Sequence, residues 1–214
     1  MKLFYYPSNA SMAPHILLEE CGQPFELAYV DRHQSANKSP DYLKLNPNGL
    51  IPVLIDGDLV LYESAAICLY LADRYPEQQL APALGTPERA RLYTWLMWLT
   101  NTFQATLTAY FYPERWVEEG NAAGAQQVKA RAEAKIATLL DQLEAQLEAG
   151  GGPWLLGAHY SVLDPYALML CRWTRGFAQP ARARAGIGEY LQRVLARPAV
   201  QRALQTEELV QPWV

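Results

Sequence analysis

Cysteine is scarce in this chain of 214 residues, and the few that occur are poorly placed for chemistry. Cys21, Cys68 and Cys171 are odd in number, lie far apart and form no CxxC pair. The three histidines are equally scattered, so neither residue type has the spacing of a zinc site or of a disulfide framework. We therefore expect buried free thiols and no bound metal.

Long apolar runs and clusters of basic residues are also missing. No stretch approaches the ~20 apolar residues that cross a bilayer, and residues 1–7 are typical of a strand rather than of a secretory signal. The 18 basic residues against 22 acidic ones give a net charge of −4 and come singly, unlike the basic stripe of a nucleic-acid surface. These absences predict a cytoplasmic globular protein with no membrane or nucleic-acid partner. Several arginines lie close together late in the chain, and they are expected to form a solvated face or a pocket for an acidic substrate. They are Arg172, Arg175, Arg182 and Arg184.

The first part of the chain has the pattern of an α/β domain. Lys2–Tyr6 and Phe25–Val30 are short apolar runs typical of strands, and Met12–Cys21 between them has helical spacing, with Gly22 as its stop. Because two strands joined by a crossover helix pair in parallel, this opening predicts a βαβ unit. A short helix is expected from Ser39.

Residues 46–64, NPNGLIPVLIDGDLVLYES, contain the most informative pattern. The runs Val53–Ile55 and Leu59–Tyr62 are joined through Asp-Gly-Asp, which predicts a β-hairpin. Pro52 stands at the mouth of the first strand, where it cannot donate to a ladder. A cis bond before Pro52 would turn the backbone of Ile51 or Val53 outward, where it can pair with a short extended peptide.

The same stretch ends in groups that suit a zwitterion. Ser64 is predicted to cap a helix that runs to Tyr75, and the free N–H groups of that helix end suit a carboxylate. The neighbouring carboxylate of Glu63 suits an ammonium group. Together with the free backbone beside Pro52, these groups predict a site for a small zwitterionic peptide.

The order NPNGxIPVL followed by LYES, within elements β-α-β-α-β-β-α, resembles the thioredoxin-like domain of glutathione transferases. The resemblance implies that Pro52 follows a cis bond, that the adjoining backbone pairs with the cysteinyl unit of glutathione, and that Glu63 and Ser64 hold its γ-glutamyl end. The segment YYPSNASMAPHILLEE is similar to the start of the bacterial beta class, in which a cysteine stands where this chain has Ala10. Since that cysteine forms mixed disulfides with glutathione, such disulfide chemistry is not expected here.

The later part of the chain has the pattern of a helical domain. We predict a thioredoxin-like α/β domain at residues 1–78, a linker at 79–86 and an all-α helical bundle at 87–214. Apolar residues at helical spacing from 128 to 147 predict one long amphipathic helix that ends at Gly150. Ser161 and Asp164 form a variant of the capping box, and we assign them a structural role.

Glutathione transfer needs the thiol as a thiolate, because only the thiolate attacks well. One hydrogen bond at a helix start lowers the pKa of a thiol by roughly one to three units. Ser11, at the head of the first helix, is the leading candidate donor because Pro14 offers it no N–H to cap. Tyr5, which matches the catalytic tyrosine of other transferase classes, is the second candidate and Asn9 the third. The alternative is that Ser11 simply caps the N–H of Ala13.

Further site residues are implied by the resemblance. His33, Gln34 and Lys38 lie in the loop where the family meets the glycyl carboxylate of glutathione, and Asn101 and Gln104 match positions of polar groups near the thiol. The aromatic residues near the end of the first long helix exceed what one helical stripe buries, so some should line a pocket or an interface. The expected walls of the acceptor pocket are Phe103, Tyr110, Tyr112, Trp116, Trp173 and Phe177.

The sequence thus predicts a glutathione S-transferase with glutathione as co-substrate, which adds the thiolate to a hydrophobic electrophile. We expect a homodimer that forms through the first long helix and the thioredoxin-like domain. Two alternatives stay open. One is a glutathione-dependent peroxidase, isomerase or dehalogenase on the same fold, and the other is a noncatalytic protein that binds apolar ligands, which Ala10 and the aromatic surplus favour.

Overall fold

Four short strands form one mixed sheet in the N-terminal part of the protein, whose computed structural model describes all residues, Met1–Val214. The strands are β1 Lys2–Tyr5, β2 Glu26–Tyr29, β3 Val53–Asp56 and β4 Leu59–Tyr62. They lie in the order β2-β1-β3-β4. The pair β1–β2 is parallel, and the pairs β1–β3 and β3–β4 are antiparallel. The predicted βαβ unit and hairpin are therefore confirmed.

Three helices accompany the sheet, namely α1 Met12–Cys21, α2 Pro40–Leu45 and α3 Ser64–Arg74. Pro14 lies in the first turn of α1, where its missing N–H costs no helical hydrogen bond. Gly22 ends this helix in the left-handed conformation, with φ of 65°. The sequence signals at both ends of α1 therefore act as predicted.

The rest of the chain is helical. Helix α4 Pro87–Trp98 continues through a π-helical segment, Leu99–Gln104, into α5 Ala105–Phe111, and is followed by α6 Ala122–Gly150, α7 Leu163–Trp173, α8 Ala185–Leu195 and α9 Pro198–Thr206. None of these helices combines the length and the apolar character that crossing a bilayer requires. The predicted fold class, a thioredoxin-like α/β domain followed by an all-α helical bundle, is confirmed. Residues 79–86 contain no helix or strand.

Helix α1 lies between the two domains. Its residues from Met12 to Leu18 are buried, and it packs on α3 in the sheet domain and on α7 and α9 in the helical domain. One core cluster consequently contains side chains of both domains, among them Leu17, Leu71 and Leu168. The loop that precedes α1 is therefore placed at the boundary between the domains.

Asp164 joins three segments of the helical domain. Its Oδ2 accepts the N–H of Ser161 at 2.7 Å, and its Oδ1 accepts the N–H of Leu155 at 3.0 Å and the hydroxyl of Tyr190 at 2.9 Å. Complete burial raises the pKa of the Asp164 carboxyl to about 6, although these hydrogen bonds favour its charged form. This is the arrangement expected of a structural pair at residues 161 and 164.

Candidate functional site

A cavity of about 360 Å³ opens between the sheet domain and the helical domain. Three loops of the sheet domain form one wall. The other wall consists of the π segment, α5 with the turn after it, and the end of α7. The lining residues are Ser8, Asn9, Ala10, Arg32, Asn37, Lys38, Gly49, Leu50, Ile51, Gln104, Thr108, Phe111, Tyr112, Arg115, Trp173 and Arg175.

Ile51 presents an unpaired backbone to this cavity. The peptide bond between Ile51 and Pro52 is cis, as the resemblance implied. Neither the N–H nor the C=O of Ile51 has a hydrogen-bond partner in the protein. Val53, by contrast, pairs with Phe4 on one side and with Tyr62 on the other. Of the two residues predicted to offer a free edge to an extended peptide, only Ile51 can do so.

The loop before Ile51 is held by side chains of the neighbouring loop. Asn37 Nδ2 donates to the carbonyl of Gly49 at 2.8 Å, and Lys38 Nζ donates to the carbonyl of Asn48 at 3.1 Å. Gly49 has φ of 59°, and a Cβ there would come within 2.7 Å of Lys38 Nζ. Glycine is required here because the backbone is left-handed and its neighbours approach it closely.

Ser64 does not cap helix α3, contrary to the prediction. Glu63 occupies the cap position with φ of 73°, and Ser64 is the first helical residue. The Ser64 hydroxyl instead donates to the carbonyl of Ala10 at 2.9 Å. Because Ala10 lines the cavity, this bond fixes the N-terminus of α3, with its unpaired N–H groups, beside the cavity.

Ser8 is held through three of its atoms by the helical domain. Its N–H donates to Glu207 Oε2 at 2.8 Å, its hydroxyl oxygen accepts from Arg172 Nε at 3.0 Å, and its carbonyl accepts from Trp173 Nε1 at 3.2 Å. Glu207 also lies 2.9 Å from His15 Nδ1, and both side chains are fully buried. Ser8 has φ of 58°, a left-handed conformation that is uncommon outside glycine. These contacts therefore fix the conformation of the loop before α1.

Arg172 links this loop to the C-terminal tail. Its Nη1 donates to the carbonyls of Pro212, at 3.2 Å, and of Trp213. Burial lowers the pKa of Arg172 to about 10, which leaves the guanidinium protonated at neutral pH. The tail thus belongs to the framework of the site.

The three candidate activators of the thiol lie in different surroundings. Ser11 is fully buried, and its hydroxyl donates to the carbonyl of Tyr6 at 3.1 Å while accepting the Tyr6 N–H at 3.2 Å. It makes no capping bond in α1, so the alternative of a cap on Ala13 does not hold either. Tyr5 is not among the lining residues, and desolvation raises the pKa of its hydroxyl. Asn9 alone of the three lines the cavity.

Asn9 and Gln104 offer two similar donors. Asn9 Oδ1 accepts the N–H of Ala10 at 2.7 Å, and Gln104 Oε1 accepts the hydroxyl hydrogen of Tyr166. Burial keeps the pKa of Tyr166 well above its ordinary value, so this hydroxyl remains a donor. Since the oxygen of each carboxamide is engaged, its NH₂ group is the end left without a protein partner. Asn101, also predicted near the thiol, is exposed outside the cavity and bonds to Thr100.

His33 and Gln34 are not among the residues that line the cavity. The N–H groups of both residues donate to Asp31 Oδ1, a turn that directs the loop outward. The imidazole Nε2 of His33 lies 2.8 Å from the hydroxyl of Tyr6, and Gln34 is exposed. Their assignment to the glycyl carboxylate is therefore not supported by their positions.

Other residues of the same loop line the cavity instead. These are Arg32, Asn37 and Lys38, of which only Lys38 was predicted from the sequence. Arg32 Nη2 donates to the hydroxyl of Tyr112 at 3.0 Å, across the two domains. A cation three residues after the second strand was the signal that could have identified Arg32.

The predicted aromatic wall is only partly present. Tyr112 and Trp173 line the cavity, together with Phe111, which was not among the predicted site residues. Phe103 is fully buried in the core, where its ring lies 5.8 Å from that of Trp98. The prediction of Phe103 as a wall residue is thereby corrected, because Phe103 continues the buried stripe of Leu96 and Leu99 at helical spacing.

The three remaining aromatic candidates lie outside the lining. Tyr110 and Phe177 pack against each other, with ring centroids 4.3 Å apart. Trp116 is 61% exposed and belongs to a separate surface hollow between α5 and α6. These rings support the helical wall or lie apart from it.

Four cations and no carboxylate line the cavity, and the cations are Arg32, Lys38, Arg115 and Arg175. None of them has a carboxylate within 4.0 Å. The Arg115 guanidinium lies over the ring of Tyr112, 4.0 Å from its centroid. The cavity is therefore strongly electropositive.

A larger cavity, of about 680 Å³, lies beside the linker and has a different balance of charge. Its two guanidinium groups are paired, Arg89 with Asp73 at 2.7 Å and Arg91 with Glu88 at 3.1 Å. The surface hollow between α5 and α6 also has two cations without a carboxylate partner, Arg131 and Lys135. Unpaired positive charge therefore distinguishes the interdomain cavity, with its four cations, from the cavity beside the linker.

The cysteines are buried and free, as predicted. Burial raises the pKa of Cys21 and Cys171 to about 12, and that of Cys68 further. None of these thiols is therefore ionised at neutral pH, and a reactive thiolate has to come from a ligand.

Comparison with known proteins identifies the family over 98% of the chain. Residues 1–73 match the family model of the glutathione S-transferase N-terminal domain. Glutathione S-transferase GST-4.5 of Xanthomonas campestris is 33% identical over 209 residues, which cover 98% of this chain and 100% of that protein. This chain belongs to the glutathione S-transferase family.

Solved structures of the family agree with the fold. The bacterial glutathione S-transferase BphK, in a ternary complex, is 36% identical, with a TM-score of 0.85 over 98% of this chain and 100% of its own. A sphingomonad glutathione S-transferase complexed with glutathione is 33% identical, with a TM-score of 0.83 over 98% of this chain and 100% of its own. As a glutathione S-transferase, the protein is assigned to the transferase class of enzymes.

Proposed function

We propose that this glutathione S-transferase binds glutathione at the interdomain cavity and joins it, through its sulfur, to an electrophile held beside it. The observation that carries the proposal is the unpaired backbone of Ile51 in the cavity wall. A cysteinyl unit in extended form can pair with both the N–H and the C=O of Ile51. The N-terminus of α3 then suits the γ-glutamyl carboxylate, and Glu63 suits its ammonium group. The sphingomonad relative complexed with glutathione supports this assignment.

Asn9 and Gln104 are our proposed donors to the thiolate. Each presents a carboxamide whose oxygen is already bonded within the protein, so the N–H groups remain for the sulfur. A hydrogen bond to a charged acceptor contributes about 1.5–3 kcal/mol, or roughly one to two pKa units. Ser11, committed to the backbone of Tyr6, is proposed to position the loop instead, and Tyr5 to pack behind it.

The transfer itself needs no protein thiol. The glutathione thiol loses its proton to solvent, and the sulfur lone pair forms a C–S bond to the electrophilic carbon. A leaving group departs with its bonding electrons; at an activated double bond the electrons move along the acceptor, which then takes a proton from water. Since Ala10 carries no sulfur, we propose that the beta-class mixed disulfide does not form in this protein.

We also propose a homodimer formed through β4 and α4. The edge strand β4 exposes Leu59, Val60 and Tyr62, and α4 exposes Tyr93 and Met97. Large apolar side chains on an edge strand favour association, and a second copy of the chain is the simplest partner that covers them.

Calorimetric titration with glutathione tests the proposed function, followed by assays with chlorinated aromatics, isothiocyanates, hydroperoxides and haloalkanes. We expect saturable binding and conjugation of at least one acceptor. Absence of binding would overturn the proposal, and binding without turnover of any acceptor would favour the noncatalytic alternative. The cytoplasmic location stays a prediction, which the three free thiols support because such thiols are typical of reducing compartments.

A further inference from the structure

We propose that the acceptor of this enzyme is an aromatic electrophile that carries a carboxylate, bound by Arg115 and Arg175. The inference rests on the proposed transfer of glutathione and names the class of second substrate for the same cavity. It starts from the four cations of the lining, none of which has a carboxylate partner.

Bound glutathione neutralises only part of this charge. Its γ-glutamyl end is a zwitterion, matched by Glu63 and the N-terminus of α3, and neither Glu63 nor Ser64 lines the cavity. The glycyl carboxylate and the thiolate are then the two anionic groups that glutathione adds to the cavity. Four cations face two anions, so two cations remain unmatched. Complementary charge in an interface discriminates between ligands, and the unmatched cations favour an anionic acceptor over a neutral one.

The position of each cation decides which anion it serves. Arg32 and Lys38 belong to the sheet domain, and Lys38 bonds to the loop that leads into Ile51. These two cations are therefore assigned to the glycyl carboxylate. Arg115 and Arg175 belong to the helical domain, which leaves them for the acceptor.

The helical wall combines these two cations with aromatic rings. Arg175 follows Trp173 by two residues, and its guanidinium group makes one hydrogen bond in the protein, from Nη1 to the carbonyl of Arg172 at 3.1 Å. The other N–H groups of the guanidinium are free. Phe111 and Trp173 line the same wall, with ring centroids 6.5 Å apart in an edge-to-face arrangement. An aromatic ring with a carboxylate is the ligand whose two parts match this wall.

Carboxylates near the cavity do not cancel the excess. Glu207 lies behind Ser8, where it is fully buried and bonded to His15. Asp31 Oδ1 accepts two backbone N–H groups of its own loop. Neither side chain lines the cavity. The anion that completes the site therefore has to come from a ligand.

The test compares two acceptors of nearly the same shape, 4-chloro-3-nitrobenzoate and 4-chloro-3-nitrobenzamide. In both, the C–S bond forms, chloride leaves with the bonding electrons, and the thiol proton goes to solvent. Each kcat/KM is divided by the uncatalysed rate constant, because the carboxylate and the amide activate the ring differently. We expect this ratio to be about tenfold higher for the benzoate, and Arg115→Gln and Arg175→Gln to reduce that preference about tenfold, each charge-assisted contact being of that order.

Arg193→Gln is the matched control, since Arg193 is exposed on α8 and distant from the lining residues. It should keep the parental preference. Equal ratios for the two acceptors in the parent, or a preference that both Arg115→Gln and Arg175→Gln retain, would overturn the inference.

A binding measurement separates this inference from the proposed function. The two S-aryl glutathione products are titrated calorimetrically into the parent and into the double variant Arg115→Gln/Arg175→Gln. Tighter binding of the benzoate product in the parent only supports the inference, and equal affinities overturn it while leaving glutathione transfer intact. Weaker binding of glutathione itself to Arg115→Gln would assign Arg115 to the glycyl carboxylate and overturn its proposed role in binding the acceptor. Absence of glutathione binding to the parent would overturn the proposed function and the inference together.

Discussion

Tyr166 donates its hydroxyl hydrogen to Oε1 of Gln104, and this bond sets which end of the Gln104 amide is left for the interdomain cavity. Tyr166 is buried in α7, and Gln104 is the last residue of the π segment. Such segments often occur at functional sites, because the wider turn changes the direction of the side chains that follow. The packing of two helices thus determines the polarity of one wall of the site.

Replacing Gln104 should change the ionisation of bound glutathione. Gln104→Ala should raise the pKa of the bound thiol by about one to two units, the loss of one charge-assisted hydrogen bond. Tyr166→Phe should raise it by less, because the amide is still present but free to rotate. Ultraviolet absorbance of the thiolate, titrated against pH, measures both changes. Asn101→Ala, outside the cavity, is the control, and a Gln104→Ala curve that coincides with the parent curve would exclude Gln104 as a donor.

Asn9 and Ser11 should respond to truncation in different ways. Asn9→Ala should raise the pKa of the bound thiol by about one to two units. Ser11→Ala should leave that pKa unchanged but lower the free energy of unfolding by about 1–3 kcal/mol, because the backbone of Tyr6 loses its partner. Thiolate titration and urea denaturation give the two readouts. A raised thiol pKa in Ser11→Ala without loss of stability would restore Ser11 as the donor.

Glu63 and Ser64 should contribute to glutathione affinity. Glu63→Gln should weaken binding about tenfold, since a charge-assisted contact to the ammonium group is lost. Ser64→Ala should weaken it less, by removing the bond that fixes the N-terminus of α3 to Ala10. Retention on immobilised glutathione and calorimetry measure both effects, with Asp58→Asn in the exposed hairpin turn as control. Unchanged affinity in both variants would contradict the proposed site.

Asp164 should make the stability depend on pH in a defined direction. Its pKa is about 6 in the folded protein against 3.8 ordinarily, so the folded state holds the proton more tightly between these values. The contribution of this group is fully present below the ordinary value and is lost as the pH rises through about 6. Between about pH 5 and about pH 7 the parent should lose about 1 kcal/mol relative to Asp164→Asn. Urea unfolding of both proteins at the two pH values measures this, and a constant difference between them would show that Asp164 does not titrate in this range.

A charge on the edge strand should dissociate the proposed dimer. Val60→Lys places an ammonium group among the exposed apolar side chains of β4, where its burial in an interface would be costly. Light scattering should then give the mass of a monomer for this variant and of a dimer for the parent. Leu84→Lys, at a residue 72% exposed in the linker, should remain dimeric. A parent that is monomeric at micromolar concentration would exclude the dimer.

Local patterns of the sequence were sufficient for much of the fold. Helix α1 has the predicted bounds because Pro14 and Gly22 act within the helix they delimit. The hairpin has its predicted strands because the turn residues lie between them. The site required contacts that no local pattern contains. The hydrogen bond from the Ser8 N–H to Glu207 joins residues 199 positions apart in the sequence, and the spacing of apolar residues does not predict such a contact.

Other differences arise from the direction of side chains. His33 and Gln34 lie in the predicted loop, but they form a turn with Asp31 and do not line the cavity. Phe103 lies on the predicted helix, but it continues the buried stripe of Leu96 and Leu99, so its ring packs in the core and not at the cavity. The sequence therefore located the correct segments more accurately than it identified the side chains that reach the cavity.

The three hydrogen bonds between the helical domain and Ser8 restrict how such a protein can evolve. Residues 1–73 match a family model as one unit, yet the geometry of their first loop depends on Glu207, Arg172 and Trp173. If glutathione and its acceptor bind as proposed, exchange of the helical half between two members of the family should change acceptor recognition and thiol reactivity in the same step. The proposed site would then constrain substitution at Glu207, near the end of the chain, through its contact with Ser8 at the beginning.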